Sequence, residues 1–352
     1  MQLTRTHLFV NRLRRQLLSH IVFVRLAGIL VSLLLLAGLF FLFRGPVSQI
    51  SAFLNQFTGS ALATHSGRTN FLLLGIGGGN HDGFDLTDTI IFVSADPVHQ
   101  KLTLISVPRD LWVSSMRAKI NTAYHYGSQK AATAGGLLLA ESAVSETINQ
   151  PVDYAVLLDF TTFRQAIDLV GGINVTVDRS FTDSHYPITG KENDPCGGDL
   201  TYACRYRTVQ FTAGPAHFDG TTALEFVRSR YSSDPVEGTD FGRSARQEKV
   251  IKAFISRLSS PAVLRHPRLY LDLFRLFTSS TATDIRPPQY YSLARLVWSL
   301  RRVQPASFTI SEPDQLYNPP LSPRYDNQWI LLPKNDDPRI VFDYVAKILG
   351  TP

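Results

Sequence analysis

Asn70-Phe71-Leu72-Leu73-Leu74-Gly75-Ile76 decides the fold. The apolar run from Phe71 to Ile76 is short enough to be a buried strand, and Thr89–Val93 and Leu102–Val107 repeat the pattern downstream. Strands that are apolar at every position need cover on both faces. The next hundred residues supply that cover. Ala131–Ile148, rich in Ala, Leu and Glu, reads as a helix, Tyr154–Leu158 as a strand, Phe160–Val170 as a helix and Ile173–Val177 as a strand. This alternation predicts an α/β fold in which helices sandwich a mixed central sheet.

Residues 180–216 interrupt the alternation with Pro187, Gly190, Pro195, Gly197, Gly198, Gly214 and Pro215, and read as a long loop or hairpin. Cys196 and Cys204 lie inside it and are expected to form one local disulfide. Two cysteines without C-x-x-C spacing make a poor zinc site. Thr221 could cap a short helix through Val227, and Asp240–Leu258 should form a longer one. Beyond Ser260, Tyr290–Leu300, Trp329–Leu332 and Ile340–Leu349 suggest helix, strand and helix. Residues 259–352 are thus an extension expected to complete the same domain.

The chain has 352 residues, 44% of them hydrophobic, ample for a core. Its formal charge of +6 is unevenly placed. Arg5, Arg12, Arg14, Arg15 and Arg25 precede any carboxylate, the first being Asp82. Residues 26–43 carry no charge and, at about 1.5 Å per residue, span roughly 27 Å, close to the hydrocarbon thickness of a bilayer. We read 1–25 as a cytoplasmic basic tail, 26–43 as a single transmembrane helix and 44–69 as a stalk, with everything beyond facing outward by the positive-inside rule. A cleaved signal peptide ending near Ala61-Leu62-Ala63 is the alternative, but that triplet lies far beyond the apolar run. An outward-facing domain without a helix-turn-helix excludes chromosomal nucleic acid as a partner.

Chemistry concentrates in two arginine clusters, Arg228-Ser229-Arg230 and Phe241-Gly242-Arg243-Ser244-Ala245-Arg246-Gln247. In an extended chain Arg228 and Arg230 point to one side, and on a helix Arg243, Arg246 and Gln247 share one face at i, i+3 and i+4. Planar guanidinium groups so gathered suit a diphosphate.

Together with Thr87-Asp88-Thr89, Ser106-Val107-Pro108-Arg109-Asp110, Lys119-Ile120-Asn121 and Asp168-Leu169-Val170-Gly171-Gly172-Ile173, these motifs stand in one order from about residue 70 to residue 258. That order resembles the LytR-CpsA-Psr family, also described as the cell-envelope-related transcriptional attenuator domain. The resemblance implies a membrane-anchored phosphotransferase that moves a glycopolymer from a polyprenyl-diphosphate carrier to peptidoglycan or a similar acceptor. It implies Arg109, Arg228, Arg230 and Arg243 as catalytic cations and Gln247, with Arg246, as substrate-binding. Asp88 is the implied ligand of Mg2+ (or Mn2+). One or two carboxylates plus substrate phosphates is a usual way to hold magnesium.

The chain also departs from the family pattern. Where many members carry an aspartate and then an arginine after the first strand, this sequence has Ile76-Gly77-Gly78-Gly79, and Leu86 replaces another frequent arginine. Asp82 or Asp85 could return to the metal, His81 could supply a donor, and the backbone at Gly77 and Gly78 could approach phosphate oxygens. Asp110 is expected to hold Arg109, Arg246 could instead pair with a carboxylate, and Asp240 is either a helix cap or a site residue. Val156, Leu158, Phe160, Phe163, Ile167, Leu169 and Val170 line a lipid channel or simply form core. Hydrolysis of the diphosphate, or a non-catalytic lipid-binding or regulatory module, are the competing functions.

Overall fold

The computed structural model describes residues 60–350 apart from 80–82, 192 and 233. The tail at 1–25, the expected transmembrane helix at 26–43 and the stalk as far as residue 59 lie outside the described residues. Among the described residues no helix is long and apolar enough to cross a membrane. One compact unit, Ala61–Arg286 with Ser292–Pro352, contains the sheets and the candidate site; of the other unit only Ser60 and Pro287–Tyr291 are described, the latter including a 3-10 turn at Pro287–Gln289.

The end of the expected stalk is part of the domain. Asp153, its side chain nearly inaccessible, accepts a hydrogen bond from the Asn70 backbone N–H at 2.7 Å and faces His65 Nδ1 at 2.6 Å, and the Ala63 N–H donates to the Tyr154 hydroxyl. A charged group so placed needs partners, and the incoming chain supplies them.

Strands β1 (Thr69–Ile76), β2 (Thr87–Asp96) and β3 (Lys101–Ser106) form an antiparallel meander. A small hairpin of β4 (Trp112–Val113) and β5 (Ala118–Lys119) leads into helix α1 (Ala123–Ile148). The backbone leaves the helical region at Ala131 and Ala132, so α1 is two helical arms; the second begins about where the helix was expected, and the first, from Ala123, was not foreseen. Two turns of chain meet there so closely that a Cβ on Gly127 would sit 2.2 Å from the Gly135 carbonyl oxygen. Composition alone does not reveal such an approach.

Strand β6 (Tyr154–Asp159) runs parallel to β1, bringing Asp159 opposite Ile76. Helix α2 (Phe160–Leu169) is capped by Asp159. There follow β7 (Ile173–Val177), the hairpin β8 (Phe181–Pro187) and β9 (Tyr206–Phe211), and β10 (Gly214–Phe218), which pairs with β7. The Cys196–Cys204 disulfide closes the excursion between β8 and β9. Helix α3 (Gly220–Arg228) begins one residue ahead of the predicted cap, since Asp219, not Thr221, accepts from the Thr222 N–H. Helix α4 (Asp240–Leu258) is capped by Thr239, which leaves Asp240 as its first residue.

The C-terminal extension holds α5 (Pro261–Leu264), α6 (Pro267–Ser280), β11 (Ala282–Thr283), α7 (Tyr290–Leu300), β12 (Ala306–Thr309), β13 (Leu316–Tyr317), β14 (Leu332–Pro333) and α8 (Arg339–Leu349). The central sheet has the order β11-β6-β1-β2-β3-β12. Both of its edges therefore come from after residue 280. The sheet is mixed as expected, with β12 parallel to β3 and β11 antiparallel to β6.

Alternation along β1 divides its side chains between two faces. Leu72 and Leu74 join Ile90, Phe92 and Ile105 in a core roofed by α1 and α8, while Phe71, Ile91 and Leu104 at alternating positions are buried as well. A second core gathers α2, α3 and α4 around Val175, Phe181, Phe211 and Phe226. Ile167 and Val170, with Phe160 and Phe163 packed against them, belong to this second core.

Candidate active site

Four of the predicted site residues converge. Asp88 stands near the start of β2, Arg109 follows β3 in a turn closed by the Leu111 N–H to the Pro108 carbonyl, and Arg243 and Gln247 stand one helical turn apart at the start of α4. All four line a single cleft with Asp110, Phe241, Ser244 and Trp329. The sheet ends and the helix start are thus aimed at one place by elements distant in sequence.

Charges in the cleft are chained. Arg109 NH1 donates to Asp88 Oδ1 at 2.5 Å, its Nε lies 3.3 Å from Asp110 Oδ2, and Lys119 Nζ donates to Asp110 Oδ1 at 2.7 Å. Asp110 therefore holds Arg109, as the sequence suggested. Arg109 is thus paired with two carboxylates, by a hydrogen bond to Asp88 and an ion pair with Asp110, which favour one orientation of the guanidinium. The Asp88 side chain remains 43% exposed, within reach of solvent and ligands.

Arg246 does not share the face of Arg243 and Gln247. It is 2% exposed on its side chain, and its donors are used internally: Nε to the Phe226 carbonyl, NH1 to the Glu237 carbonyl and carboxylate, and NH2 to the Ser229 carbonyl. Its guanidinium also stacks over Phe181 at 4.8 Å. Burial pulls its pKa below the usual guanidinium range, while Glu237 works against that shift. Of the two readings open for Arg246, pairing with a carboxylate is the one present, and it makes the side chain a strut from α4 to the end of α3. The i, i+3, i+4 pattern failed here because the i+3 position turns toward α3, leaving i and i+4 on the cleft.

Arg228 and Arg230 are not among the residues that line this cleft. They flank the wholly buried Ser229, but Arg228 is the last residue of α3 and only Ser229 leaves the helix, so the pair does not stand in the extended chain that was expected. The Arg228 guanidinium lies 4.3 Å over the Phe160 ring and 5.5 Å over Tyr186. Burial raises the Tyr186 pKa, and the Arg228 charge opposes it. Asp183, almost fully buried, receives the backbone N–H groups of Arg230 and Tyr231 at 2.9 and 3.2 Å. Neither Asp183 nor Glu237 was singled out from sequence. Each stands in a turn-rich stretch, with no motif to mark it.

The opposite wall differs from expectation. Asp85 is engaged by His125 Nδ1 at 2.7 Å, and His125 in turn meets Gln129. Asp82 and His81 lie outside the described residues. The Gly78 N–H, expected to face phosphate, donates to the Phe84 carbonyl at 2.9 Å. Gly78 has φ +67° and a Cβ there would meet Asp159 at 3.1 Å, so its glycine identity serves the turn. Gly77 precedes it in the same turn. Cys196 and Cys204, with Asp194, form the only three-residue group of metal-ligating types among the described residues, and its thiols are consumed by the disulfide.

The model of the LytR_cpsA_psr family matches residues 48–318. The chain is 31% identical over 252 residues to the polyisoprenyl-teichoic acid–peptidoglycan teichoic acid transferase TagU of Oceanobacillus iheyensis, covering 67% of this chain and 69% of that protein. It is 29% identical over 180 residues to the Bacillus subtilis transferase TagV, covering 49% and 39%. Among solved structures, the crystal structure of B. subtilis TagV shares the fold with a TM-score of 0.56 at 23% identity, over 82% of this chain and 100% of that one. A structure of TagT bound to LIIa-WTA gives 0.54 at 20% identity, over 81% and 92%.

Proposed function

The chain belongs to the LytR-CpsA-Psr family, and on that premise we propose that it is a phosphotransferase moving a glycopolymer from a polyprenyl-diphosphate carrier to peptidoglycan or a similar cell-wall acceptor. The observation that carries the reading is the convergence of Asp88, Arg109, Arg243 and Gln247 on one cleft, with Arg246 bracing the neighbouring Arg228-Ser229-Arg230 segment against the same helix. The relatives named above carry the same class of transfer in their names.

In this reading an acceptor hydroxyl attacks the sugar-linked phosphorus. A new P–O bond forms, the bond to the bridging oxygen breaks, the electron pair leaves with the prenyl phosphate and the hydroxyl proton passes to solvent. Negative charge grows on the bridging oxygen and on the attacked phosphoryl group, and prearranged guanidinium forks are the groups suited to it. Arg109 and Arg243 bind the phosphates, and Gln247 orients them. Asp110 is unsuited to act as a base, because Arg109 and Lys119 occupy its two oxygens.

The donor set fits a divalent cation of the magnesium type. One exposed carboxylate, Asp88, stands beside phosphate-binding cations, which matches a metal brought in with the diphosphate rather than an all-protein cage. Mg2+ or Mn2+ held there would neutralise phosphate charge. Asp85, whose side chain is 15% exposed against 43% for Asp88, is a weaker second ligand. Residues 26–43 would anchor the protein in the bilayer that holds its lipid-linked donor, with the site on the outer side.

The test is to incubate the purified protein with Mg2+, a prenyl-diphosphate glycan and peptidoglycan. Glycan covalently attached through phosphate to peptidoglycan is the expected product. Free glycan phosphate with no attached material would replace transfer by hydrolysis.

A further inference from the structure

Trp329 lies outside the region that matches the family, yet it forms part of the cleft wall beside Asp88, Arg109 and Arg243. It is 46% exposed. Of the two other tryptophans, Trp112 is buried, and Trp298 is 60% exposed with the Arg301 guanidinium 4.2 Å over its ring; neither lines the cleft. What sets Trp329 apart is its place: its exposed ring stands in the same cleft as Asp88, Arg109 and Arg243, where a ligand can cover it.

The backbone beneath Trp329 is fixed. The Leu331 N–H donates to the Asp110 carbonyl and the Trp112 N–H to the Leu331 carbonyl, both at 3.0 Å, while Asn318 Nδ2 donates to the Ile330 carbonyl at 2.7 Å. Ile330 and Leu332 are buried in a cluster with Trp112 and Tyr325. Extended alternation then puts Trp329 and Leu331 on the other side, and both line the cleft. The segment is stapled directly to the residue following Arg109, so indole and guanidinium are held in one frame.

We propose that Trp329 is the sugar platform of this site: a pyranose ring lays its C–H face on the indole beside the donor phosphates held by Arg109 and Arg243. A pyranose carries hydroxyls around its rim and apolar C–H bonds on its faces. The electron-rich face of an indole complements those C–H groups, and aromatic walls with few convergent polar groups are the usual make-up of ligand sites. A flat apolar surface abutting phosphate-binding cations matches a sugar joined to phosphate. The proposal rests on the transferase reading for the identity of the glycan and deepens it; the ring belongs either to the lipid-linked donor or to the peptidoglycan acceptor.

Calorimetric titration of the full chain in detergent separates these sources, using a short-prenyl diphosphate disaccharide in one arm and a peptidoglycan-derived tetrasaccharide in the other. Trp329→Ala should weaken at least one arm by about tenfold, and the arm affected identifies the ring. Trp329→Tyr should restore most of the affinity, whereas Trp329→Leu, which keeps apolar bulk without an aromatic face, should not. Wild-type affinity for both glycans in Trp329→Leu or Trp329→Ala overturns the proposal, as does failure of Trp329→Tyr to recover binding while folded by thermal melt. Because binding is read without turnover, loss of the transferase reading would register separately, as Trp329-dependent binding with no linked product.

Discussion

The guanidinium of Arg246 donates to the carbonyl of Ser229, the residue between Arg228 and Arg230. A buried arginine thus sets the position of two others. Arg246→Ala would leave the Glu237 carboxylate and three backbone carbonyls short of a donor, and truncating one partner of a buried pair costs about 3–5 kcal/mol. We expect a urea midpoint lowered accordingly. Arg246→Lys, with a point charge in place of a fork, should recover only part of it. Transfer measured below the melting temperature of each variant should fall as well, because Ser229 loses its tether.

Asp88 and Arg109 form the second linked pair. Asp88→Asn should retain the fold, lose the response of transfer to added Mg2+, and lower transfer by about 10²–10³-fold, the usual cost of one preorganised electrostatic contact. Arg109→Lys should not rescue Arg109→Ala, since an ammonium cannot reproduce contacts to Asp88 and Asp110 together. A lysine variant with wild-type rate would show that charge alone suffices.

Glu141 on α1 supplies a pH test. Burial first, and then the neighbouring Asp284 carboxyl, push its pKa from the ordinary 4.5 up to about 8. The folded protein holds this proton between those values, whereas the unfolded chain releases it. The associated stability is therefore full below pH 4.5 and lost as pH rises toward 8. Glu141→Gln should melt near the wild type at about pH 5 and above it at about pH 8.5. Equal melting curves at the alkaline pH would contradict the assignment.

The disulfide joins cysteines eight residues apart. Constraining so short a loop is worth about 2–3 kcal/mol in the chain-entropy picture. The double substitution Cys196→Ser, Cys204→Ser should speed proteolysis between β8 and β9 while leaving transfer intact, because neither cysteine touches the cleft. A lost activity in the folded double variant would assign the excursion a direct role.

How far the sequence could be read depended on the range of the interaction involved. The β1, β2, β3 and β6 strands, α2 and α4 were legible because apolar runs and helical composition are local signals, and Asp88, Arg109, Arg243 and Gln247 were legible because spaced motifs name them. The α1 kink was not, since it depends on Gly127 meeting Gly135. Arg246 shows the limit most sharply. Its helical spacing matched that of its neighbours, yet its direction is set by Ser229, Phe226 and Glu237, which only the fold assembles. The Gly78 N–H likewise has a partner, the Phe84 carbonyl, that no sequence pattern announces. The strand expected from Trp329 begins only at Leu332, and nothing beside Trp329 in the sequence points to a cleft that Asp88, Arg109, Arg243 and Gln247 line from far back in the chain.

The two edges of the central sheet impose an order on synthesis. Every motif from Asp88 to Gln247 has been made before Ala282 and Ala306 exist to flank β6 and β3. Until then the growing chain carries two open strand borders, each a template for pairing with another molecule. A ribosome that stops after α4 releases a polypeptide with the whole reaction chemistry and no finished sheet to hold it. Nascent chains of this protein are consequently most in need of chaperone shelter while the segment after α4 is being made, and nonsense mutations there should be as damaging as those upstream.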